Sequence, residues 1–436
     1  MSMPDRRNEI DQSRRDVLRG GAAGAALLAG YGRIGAAAGA GSDEIRIGLV
    51  GCGGRGTGAV RNVFEGVPGV KLVAMGDLFK ERVDESIKKL EAATGAADKI
   101  AVTPDTMFAG FDAYEKVIAS DANYIILATP PGFRPIHLKA AVAADKHIFT
   151  EKPLAVDAAG VRAVLELVPL AAGKRLAIGV GLQRRHSKGY LEAMRRIHGG
   201  ALGDILGGRC AWLQRDLWCK KREPTWTDVE WQLRNWLYFT WLSGDHIVEQ
   251  HIHNIDVIQW AIGKPPLAAV GIGGRQQRVD PAFGHVFDHF AVDFEYPNDV
   301  HVTSLARQIP GCQNDVSEHL VGSKGRADLA TTGWSIASHH GNKSWSRAGG
   351  KDPDPYVQEH VDLIEAIRKG KPYSQLQSAA ETNLTAIMGR MSAYTGKRVT
   401  WEQALNSKES LFPSGQLKFG KLEVANVAIP GTIDVI

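Results

Sequence analysis

Residues 45–56 read IRIGLVGCGGRG and contain the pattern Gly51-Cys52-Gly53-Gly54-Arg55-Gly56, in which the glycines are spaced G-x-G-x-x-G. The pattern follows a short apolar strand, Ile45 to Val50, and precedes a predicted helix from about Gly58 to Phe64. In such a unit the first glycine permits a tight turn, the second lets the backbone approach a pyrophosphate, and the third lets the helix pack on the strand. The helix N-terminus offers unpaired N–H groups to the anion. The segment therefore predicts a dinucleotide site.

Asp77 supports this interpretation and bears on which dinucleotide is bound. The second predicted strand covers Val70 to Met75 and ends at Asp77. Asp77 thus lies about 20 residues after the last glycine, as the dinucleotide pattern requires. A carboxylate there accepts hydrogen bonds from the adenosine ribose and repels a 2′-phosphate, which favours NAD. Lys80 and Arg82 lie close by and keep NADP as the alternative.

The remaining pattern predicts two domains in an α/β fold. Strands and helices alternate from residue 44 to about 170, which is typical of a Rossmann doubly wound parallel sheet. After residue 200, strands with short connections predict an antiparallel sheet in a C-terminal domain, 171–436. We expect one long helix from His246 to Ile262 and another, Val357 to Lys369, to close the chain.

Composition excludes several classes of protein. The 436 residues are 44% hydrophobic and 23% charged, as in a globular protein, and the net charge of +4 comes from scattered Lys and Arg, so no nucleic-acid partner is predicted. No run of strongly apolar residues is long enough for a membrane span. The four cysteines show no metal-ligand spacing, and we predict no metal.

The first forty residues resemble an export signal. Ser13-Arg14-Arg15-Asp16-Val17-Leu18-Arg19 is similar to the twin-arginine motif, and a weakly apolar Gly/Ala/Leu run and Ala36-Ala37-Ala38 follow it. We predict that residues 1–40 are a twin-arginine signal and linker and that the protein is periplasmic. A disordered tail that carries arginines is the alternative.

Three further motifs, joined to the glycine pattern, point to a family. They are Thr150-Glu151-Lys152-Pro153, Gly181-Leu182-Gln183-Arg184-Arg185-His186 and Glu249-Gln250-His251-Ile252-His253-Asn254-Ile255-Asp256. Over about residues 44–405 the chain resembles the glucose-fructose oxidoreductase / inositol dehydrogenase / rhizopine catabolism family, Gfo/Idh/MocA. The resemblance implies a Rossmann domain, a C-terminal α/β domain with a large open antiparallel sheet, a sugar or polyol substrate beside the nicotinamide, and a homodimer or homotetramer.

The resemblance also implies roles for single residues. It places Lys152 near the reacting carbon and the nicotinamide, and it places an Asp four residues before a catalytic His. In this chain Glu249 and His253 occupy those positions, so the carboxylate is retained on a side chain longer by one methylene. The later Asp of the family pattern is retained as Asp256.

The same helix can be interpreted without the family. Helical spacing puts His246, Glu249, His253 and Asp256 on one stripe. Oxidation of an alcohol requires a base, and the imidazole has the side-chain pKa nearest neutrality. We predict His253 as the general acid/base, Glu249 as its partner or a substrate ligand, and Lys152 as co-catalyst or substrate binder. A hydrogen-bonded core histidine is the alternative for His253.

The remaining site predictions concern the two ligands. Predicted substrate contacts are Lys152, Arg185, Glu249, His253, Asp256 and Trp236, the last from a group of tryptophans between Trp212 and Trp241 that either stack on sugar rings or pack a loop. Predicted cofactor contacts are Gly51, Cys52, Gly53, Gly54, Arg55, Gly56, Asp77, Thr129, Pro130, Glu151 and Lys152.

An exported enzyme would carry its NAD already bound, because the cofactor is not in useful supply outside the cytoplasm. The first interpretation is therefore an oxidoreductase that transfers hydride between a tightly bound cofactor and a sugar, polyol or glycoside. One alternative is an NAD-dependent redox-neutral glycosidase. Such an enzyme oxidises a sugar carbon transiently, cleaves the glycosidic bond by elimination, adds water and returns the hydride. Another is a non-catalytic sugar-binding protein.

Overall fold

The computed structural model describes residues 44–93, 95–340, 344–350 and 352–434. The predicted export signal at residues 1–40 lies outside these ranges. No helix within them is long and apolar enough to cross a membrane.

The first sheet is parallel and has six strands in the order β3-β2-β1-β4-β5-β6. Its strands are β1 (Ile45–Val50), β2 (Val70–Asp77), β3 (Met107–Ala109), β4 (Tyr124–Leu127), β5 (His147–Thr150) and β6 (Ile178–Val180). The central strands are almost entirely buried, with Arg46 of β1 the partly exposed exception, because helices cover both faces of the sheet. This confirms the predicted Rossmann topology. The last strand lies beyond residue 170, so the sheet extends past that point, and the division of the chain into domains stays a prediction.

The helices alternate with these strands and continue after them. Their bounds are α1 (Gly54–Gly66), α2 (Lys80–Glu91), α3 (Ala113–Ala119), α4 (Arg134–Ala143), α5 (Ala158–Gly173), α6 (Lys188–His198), α7 (Asp228–Arg234), α8 (Thr240–Ser243), α9 (His246–Glu249), α10 (Ile252–Ile262), α11 (Pro355–Arg368), α12 (Leu376–Thr395) and α13 (Trp401–Asn406).

The second sheet is mixed, not purely antiparallel as predicted. Its nine strands run in the order β14-β13-β12-β11-β7-β10-β9-β8-β15. They are β7 (Ile205–Gln214), β8 (Ala268–Gly274), β9 (His289–Tyr296), β10 (Val300–Gln308), β11 (Asp315–Gly322), β12 (Gly325–Ala330), β13 (Gly333–Ser338), β14 (Ser344–Ala348) and β15 (Val399–Thr400). Strands β7 and β10 pair in parallel, with Gly207 opposite His301, because about 85 residues separate them and include the crossover helices that a parallel pair requires.

The prediction that a helix ending near Lys369 closes the chain is wrong. The 20-residue helix α12 follows α11, and its residues are buried on nearly all sides. A helix without an exposed face has no amphipathic stripe, so periodicity does not reveal it. Asn383 on α12 hydrogen-bonds both the N–H and the C=O of Ala155, and Arg390 donates to the carbonyl of Val156. These contacts fix the segment after β5 against the second half of the chain.

Candidate active site

The glycine turn has the geometry that its pattern predicts. Gly51 has φ +96°, and a Cβ there would lie 2.6 Å from the backbone of Ala128. A Cβ on Gly56 would lie 1.9 Å from the carbonyl oxygen of Gly51, so only glycine lets α1 approach the turn. A Cβ on Gly53 or Gly54 would meet no atom within 4 Å. The first and third glycines therefore build the turn, and the middle pair faces open space.

That open space is a cavity of about 320 Å³ at the carboxyl ends of the first four strands. Its walls contain predicted cofactor residues from three segments, namely Gly51, Gly53, Gly54, Arg55, Asp77, Thr129 and Pro130. In parallel α/β sheets ligands bind in this crevice. Because a glycine cradle opens into it at the N-terminus of α1, the residues present fit a dinucleotide.

Asp77 is held in place by the backbone around the cavity. Its Oδ2 accepts a hydrogen bond from the Cys52 N–H at 2.8 Å, and its Oδ1 accepts one from the Phe79 N–H at 3.0 Å. Burial raises the pKa of Asp77, although Arg82 and the two N–H groups act in the opposite direction. Cys52 therefore contributes to the site through its backbone, while its side chain is buried beside Gly76.

Arg55 and Glu151, both predicted cofactor contacts, form an ion pair with each other. The Arg55 Nη2 also lies 3.0 Å from Glu359 on α11, and its guanidinium stacks 4.9 Å from the centre of the Tyr356 ring. Two carboxylates raise the pKa of Arg55, against the opposing effect of burial. The Rossmann turn is thereby tied to the segment after β5 and to α11.

Lys152 and Glu249 meet at the carboxyl end of β5. The Lys152 Nζ lies 2.8 Å from the Glu249 Oε1 and also donates a hydrogen bond to the Glu249 main-chain carbonyl. The two side chains are 13% and 14% exposed, so water has limited access to the pair. The structure brings together two predicted catalytic residues that come from different halves of the chain.

The predicted continuous helix from His246 to Ile262 is wrong, because it is interrupted between α9 and α10. The His251 N–H bonds the carbonyl of His246, five residues back, at 3.1 Å, and the His253 N–H bonds the carbonyl of Gln250 at 3.4 Å. The Glu249 carbonyl therefore accepts a hydrogen bond from the Lys152 ammonium in place of one from a helical N–H. Wide turns of this kind are frequent at functional sites.

His253 is buried beside Lys152. Its Nδ1 has no hydrogen-bond partner among the described residues, and its ring lies 5.8 Å from that of Trp212 at an interplanar angle of 29°. Burial lowers the pKa of His253 well below its usual value, and the positive charges of Lys152 and Arg184 add to this effect. The protonated form of the imidazole is therefore disfavoured at this position.

Arg185 and Asp256, both predicted substrate contacts, bind each other. The Arg185 Nε and Nη2 each lie 2.8 Å from an Asp256 oxygen, and the Thr382 hydroxyl donates to the same carboxylate at 3.0 Å. Trp236 lies elsewhere, in the wall of the cavity that contains Asp77. The substrate-binding roles of Arg185, Asp256 and Trp236 stay predictions.

Sequence analysis missed most of the aromatic lining of the cavity. The missed residues are Phe79, Phe111, Tyr114, Phe133, His137 and Trp218. Phe79, Phe111 and Phe133 lie within a few residues of the ends of β2, β3 and β4, so the rule that ligands bind at the carboxyl ends of parallel strands could have found them. Trp218 belongs to the group of tryptophans noted in the sequence, and no sequence signal indicates Tyr114 or His137. Within the described ranges, no group of His, Cys, Asp or Glu is arranged to hold a metal ion.

Comparison with known proteins identifies the class. A model of the oxidoreductase family with the NAD-binding Rossmann fold matches residues 45–181, and a model of the GFO/IDH/MocA C-terminal domain matches residues 190–328. These two regions define an NAD-binding oxidoreductase. The chain belongs to the Gfo/Idh/MocA family.

Several relatives and solved structures are similar to the chain. Inositol 2-dehydrogenase 4 of Saccharopolyspora erythraea is 33% identical over 168 residues, which are 38% of this chain but only 45% of that protein. Inositol 2-dehydrogenase 3 of the same organism is 26% identical over 353 residues, 79% of this chain and 91% of that one. The structure of scyllo-inositol dehydrogenase from Lactobacillus casei with bound NAD(H) and scyllo-inositol superposes with a TM-score of 0.63 at 19% identity, over 82% of this chain and 99% of that one. At this identity the likeness concerns the fold.

Proposed function

We propose that the protein transfers hydride between a tightly bound NAD and a hydroxyl-bearing carbon of a sugar, polyol or glycoside. The observation that supports this most directly is the contact between Lys152 and Glu249 in a chain whose glycine turn opens into a cavity that fits a dinucleotide. Asp77, whose carboxylate is fixed in the wall of that cavity by two backbone N–H groups, favours NAD over NADP. The inositol dehydrogenases among the relatives support a cyclic polyol or sugar as substrate.

The side chains divide the chemistry as follows. Bound NAD would supply the hydride acceptor. Glu249 holds two N–H groups of the Lys152 ammonium, and the third can donate a hydrogen bond to the substrate hydroxyl. His253, neutral because it is buried among positive charges, accepts the hydroxyl proton as the alcohol is oxidised.

The test begins with the cofactor. The purified protein is denatured, and NAD(H) and NADP(H) in the supernatant are quantified by mass spectrometry. The folded protein is then mixed with myo-inositol, scyllo-inositol or glucose, and the formation of bound NADH is followed by fluorescence. We expect near-stoichiometric NAD and its reduction by at least one of these compounds, and a His253→Asn variant that keeps the NAD but is reduced far more slowly.

The outcomes separate the alternatives. A protein that contains no dinucleotide and fails to bind added NAD or NADP would contradict the proposal and favour a sugar-binding protein. Cleavage of a chromogenic glycoside without net change in NADH would favour the redox-neutral glycosidase. Reduction of NAD that reverses when a second sugar is added would support alternating oxidation and reduction.

We further propose that the protein reaches the periplasm by the twin-arginine route and forms a homodimer or homotetramer. The motif around Arg14 and Arg15 supports export, and a reporter fused behind residues 1–40 should lose export when both are changed to Lys. The exposed apolar residues Val270 and Ile272 on β8, the latter 72% exposed, support self-association. Light scattering of the purified protein would contradict self-association if it gave the mass of one chain.

A further inference from the structure

The chain after α13 continues as an irregular segment, residues 407–422, which we call the C-terminal strap. One end is fixed where the Leu411 N–H donates to the Asp157 Oδ2 at 2.6 Å. The other end is fixed where the Leu422 N–H donates to the Asp228 Oδ2 at 3.1 Å and its carbonyl accepts from the Gln232 Nε2 at 2.8 Å. The strap is therefore anchored on both sides, once near α5 and once on α7.

Between these anchors the strap packs against the cavity wall. The Phe419 ring lies 6.1 Å from the Phe79 ring, at an angle of 24°, and 5.2 Å from the Phe111 ring. The Phe412 ring lies 5.2 Å from the Phe133 ring. Phe79, Phe111 and Phe133 all line the cavity. Two strap residues thus support three of its aromatic walls.

Helix α7 also packs against Phe79, through Arg234. The Arg234 guanidinium lies 3.8 Å from the centre of the Phe79 ring, and its Nη1 lies 2.7 Å from Glu81 on α2. Trp236, which follows α7, lines the cavity itself. Phe79 comes two residues after Asp77 and is packed by Phe419 and Arg234, so the part of the cavity beside Asp77 is enclosed by segments outside the Rossmann sheet.

We propose that the C-terminal strap retains the dinucleotide by covering the end of its site beside Asp77, and that the cofactor leaves only when Phe419 moves away from Phe79 and Phe111. The inference rests on the proposed function, because it requires that the cavity holds NAD. Phe419 is 44% exposed and forms no part of the main core, so it can move at small cost to the fold. Such a strap suits an enzyme that must keep one cofactor through many turnovers.

The test measures cofactor release and not turnover. Protein loaded with NADH is mixed with excess NAD in a stopped-flow instrument, and release is followed as the loss of energy transfer from tryptophan to NADH. We expect Phe419→Ala to release NADH at least tenfold faster than wild type, which is a difference of about 1.4 kcal/mol in barrier. Phe419→Leu, which keeps apolar bulk, should lie between them and serves if Phe419→Ala fails to fold. Lys418→Ala changes the neighbouring exposed residue and should release NADH as wild type does.

Each outcome is decisive. Equal release rates in wild type and both Phe419 variants, all of which bind NADH, would overturn the strap and leave the proposed function intact. A wild-type protein that binds neither NADH nor NAD would overturn both. Faster release in Phe419→Ala with an unchanged melting temperature of the cofactor-free protein would support retention by the strap.

Discussion

The Lys152 ammonium lies 2.8 Å from the carboxylate of Glu249, a residue 97 positions further along the chain. It also donates to the main-chain carbonyl of Glu249, so a single lysine terminates α9 and orients its last side chain. Positive charge is favourable at the C-terminal end of a helix. The contact therefore links the first sheet to the interrupted helix that carries His253.

This contact predicts that Lys152 and Glu249 act together in turnover. Lys152→Met should lower kcat about 10²–10⁴-fold, the usual range for loss of a positioned proton-transfer or hydrogen-bonding group. Glu249→Gln keeps an acceptor for the ammonium but removes its charge, and should lower kcat less than Lys152→Met. Steady-state kinetics with the sugar or polyol found to reduce bound NAD provides the measurement.

The control for both variants is cofactor content. Neither side chain lines the cavity beside Asp77, so bound NAD should stay near wild type. A Lys152→Met protein with wild-type kcat would show that the pair is only structural.

Asp77 should determine the preference for NAD. Asp77→Asn removes the negative charge that would repel a 2′-phosphate and keeps one acceptor oxygen, so the ratio of Kd for NADP to Kd for NAD should fall about tenfold, or ~1.4 kcal/mol. Asp84→Asn is the matched control, because Asp84 is partly exposed on α2, outside the cavity wall, and pairs with Lys80 at 2.8 Å. Equilibrium fluorescence titrations with both reduced cofactors measure the ratio. An unchanged ratio in Asp77→Asn would contradict this role.

The glycines of the turn should separate binding from folding. Gly53 has φ −70°, which any residue adopts, and its Cβ would enter open space, so Gly53→Ala should fold with stability within about 1 kcal/mol of wild type. The same Cβ would stand where a pyrophosphate approaches, and Kd for NADH should rise at least tenfold. Gly56→Ala should instead destabilise the protein by about 1–3 kcal/mol, because its Cβ overlaps the Gly51 carbonyl. Urea unfolding of the cofactor-free proteins distinguishes the two variants, and wild-type NADH binding by Gly53→Ala would count against the site.

The parts of the fold that local pattern determines were predictable, and those that long-range contacts determine were not. The glycine turn and Asp77 could be identified because each needs one residue type at a fixed spacing along a strand, turn and helix. The break between Glu249 and Ile252 could not, because it depends on long-range hydrogen bonds: Lys152 with Glu249, His251 with Ser304, and Gln308 with Gln250. Periodicity alone favours a continuous helix there.

The buried histidines predict a specific loss of stability in acid. Burial lowers the pKa of His251 from 6.5 to about 3 in the folded protein. Between these values the unfolded chain binds a proton that the native state does not, so the free energy of unfolding falls as pH falls, by up to about 1.4 kcal/mol per pH unit for this group. His301 changes the free energy of unfolding in the opposite direction, because its hydrogen bond with Asp293 raises its pKa. The stabilisation that it contributes is present in acid and is lost as pH rises through its pKa in the folded protein. Urea unfolding at several pH values between 7.5 and 5 should therefore show a shallower decline in His251→Asn than in wild type, and a steeper one in His301→Asn. Equal slopes in all three proteins would show that neither histidine titrates differently on folding.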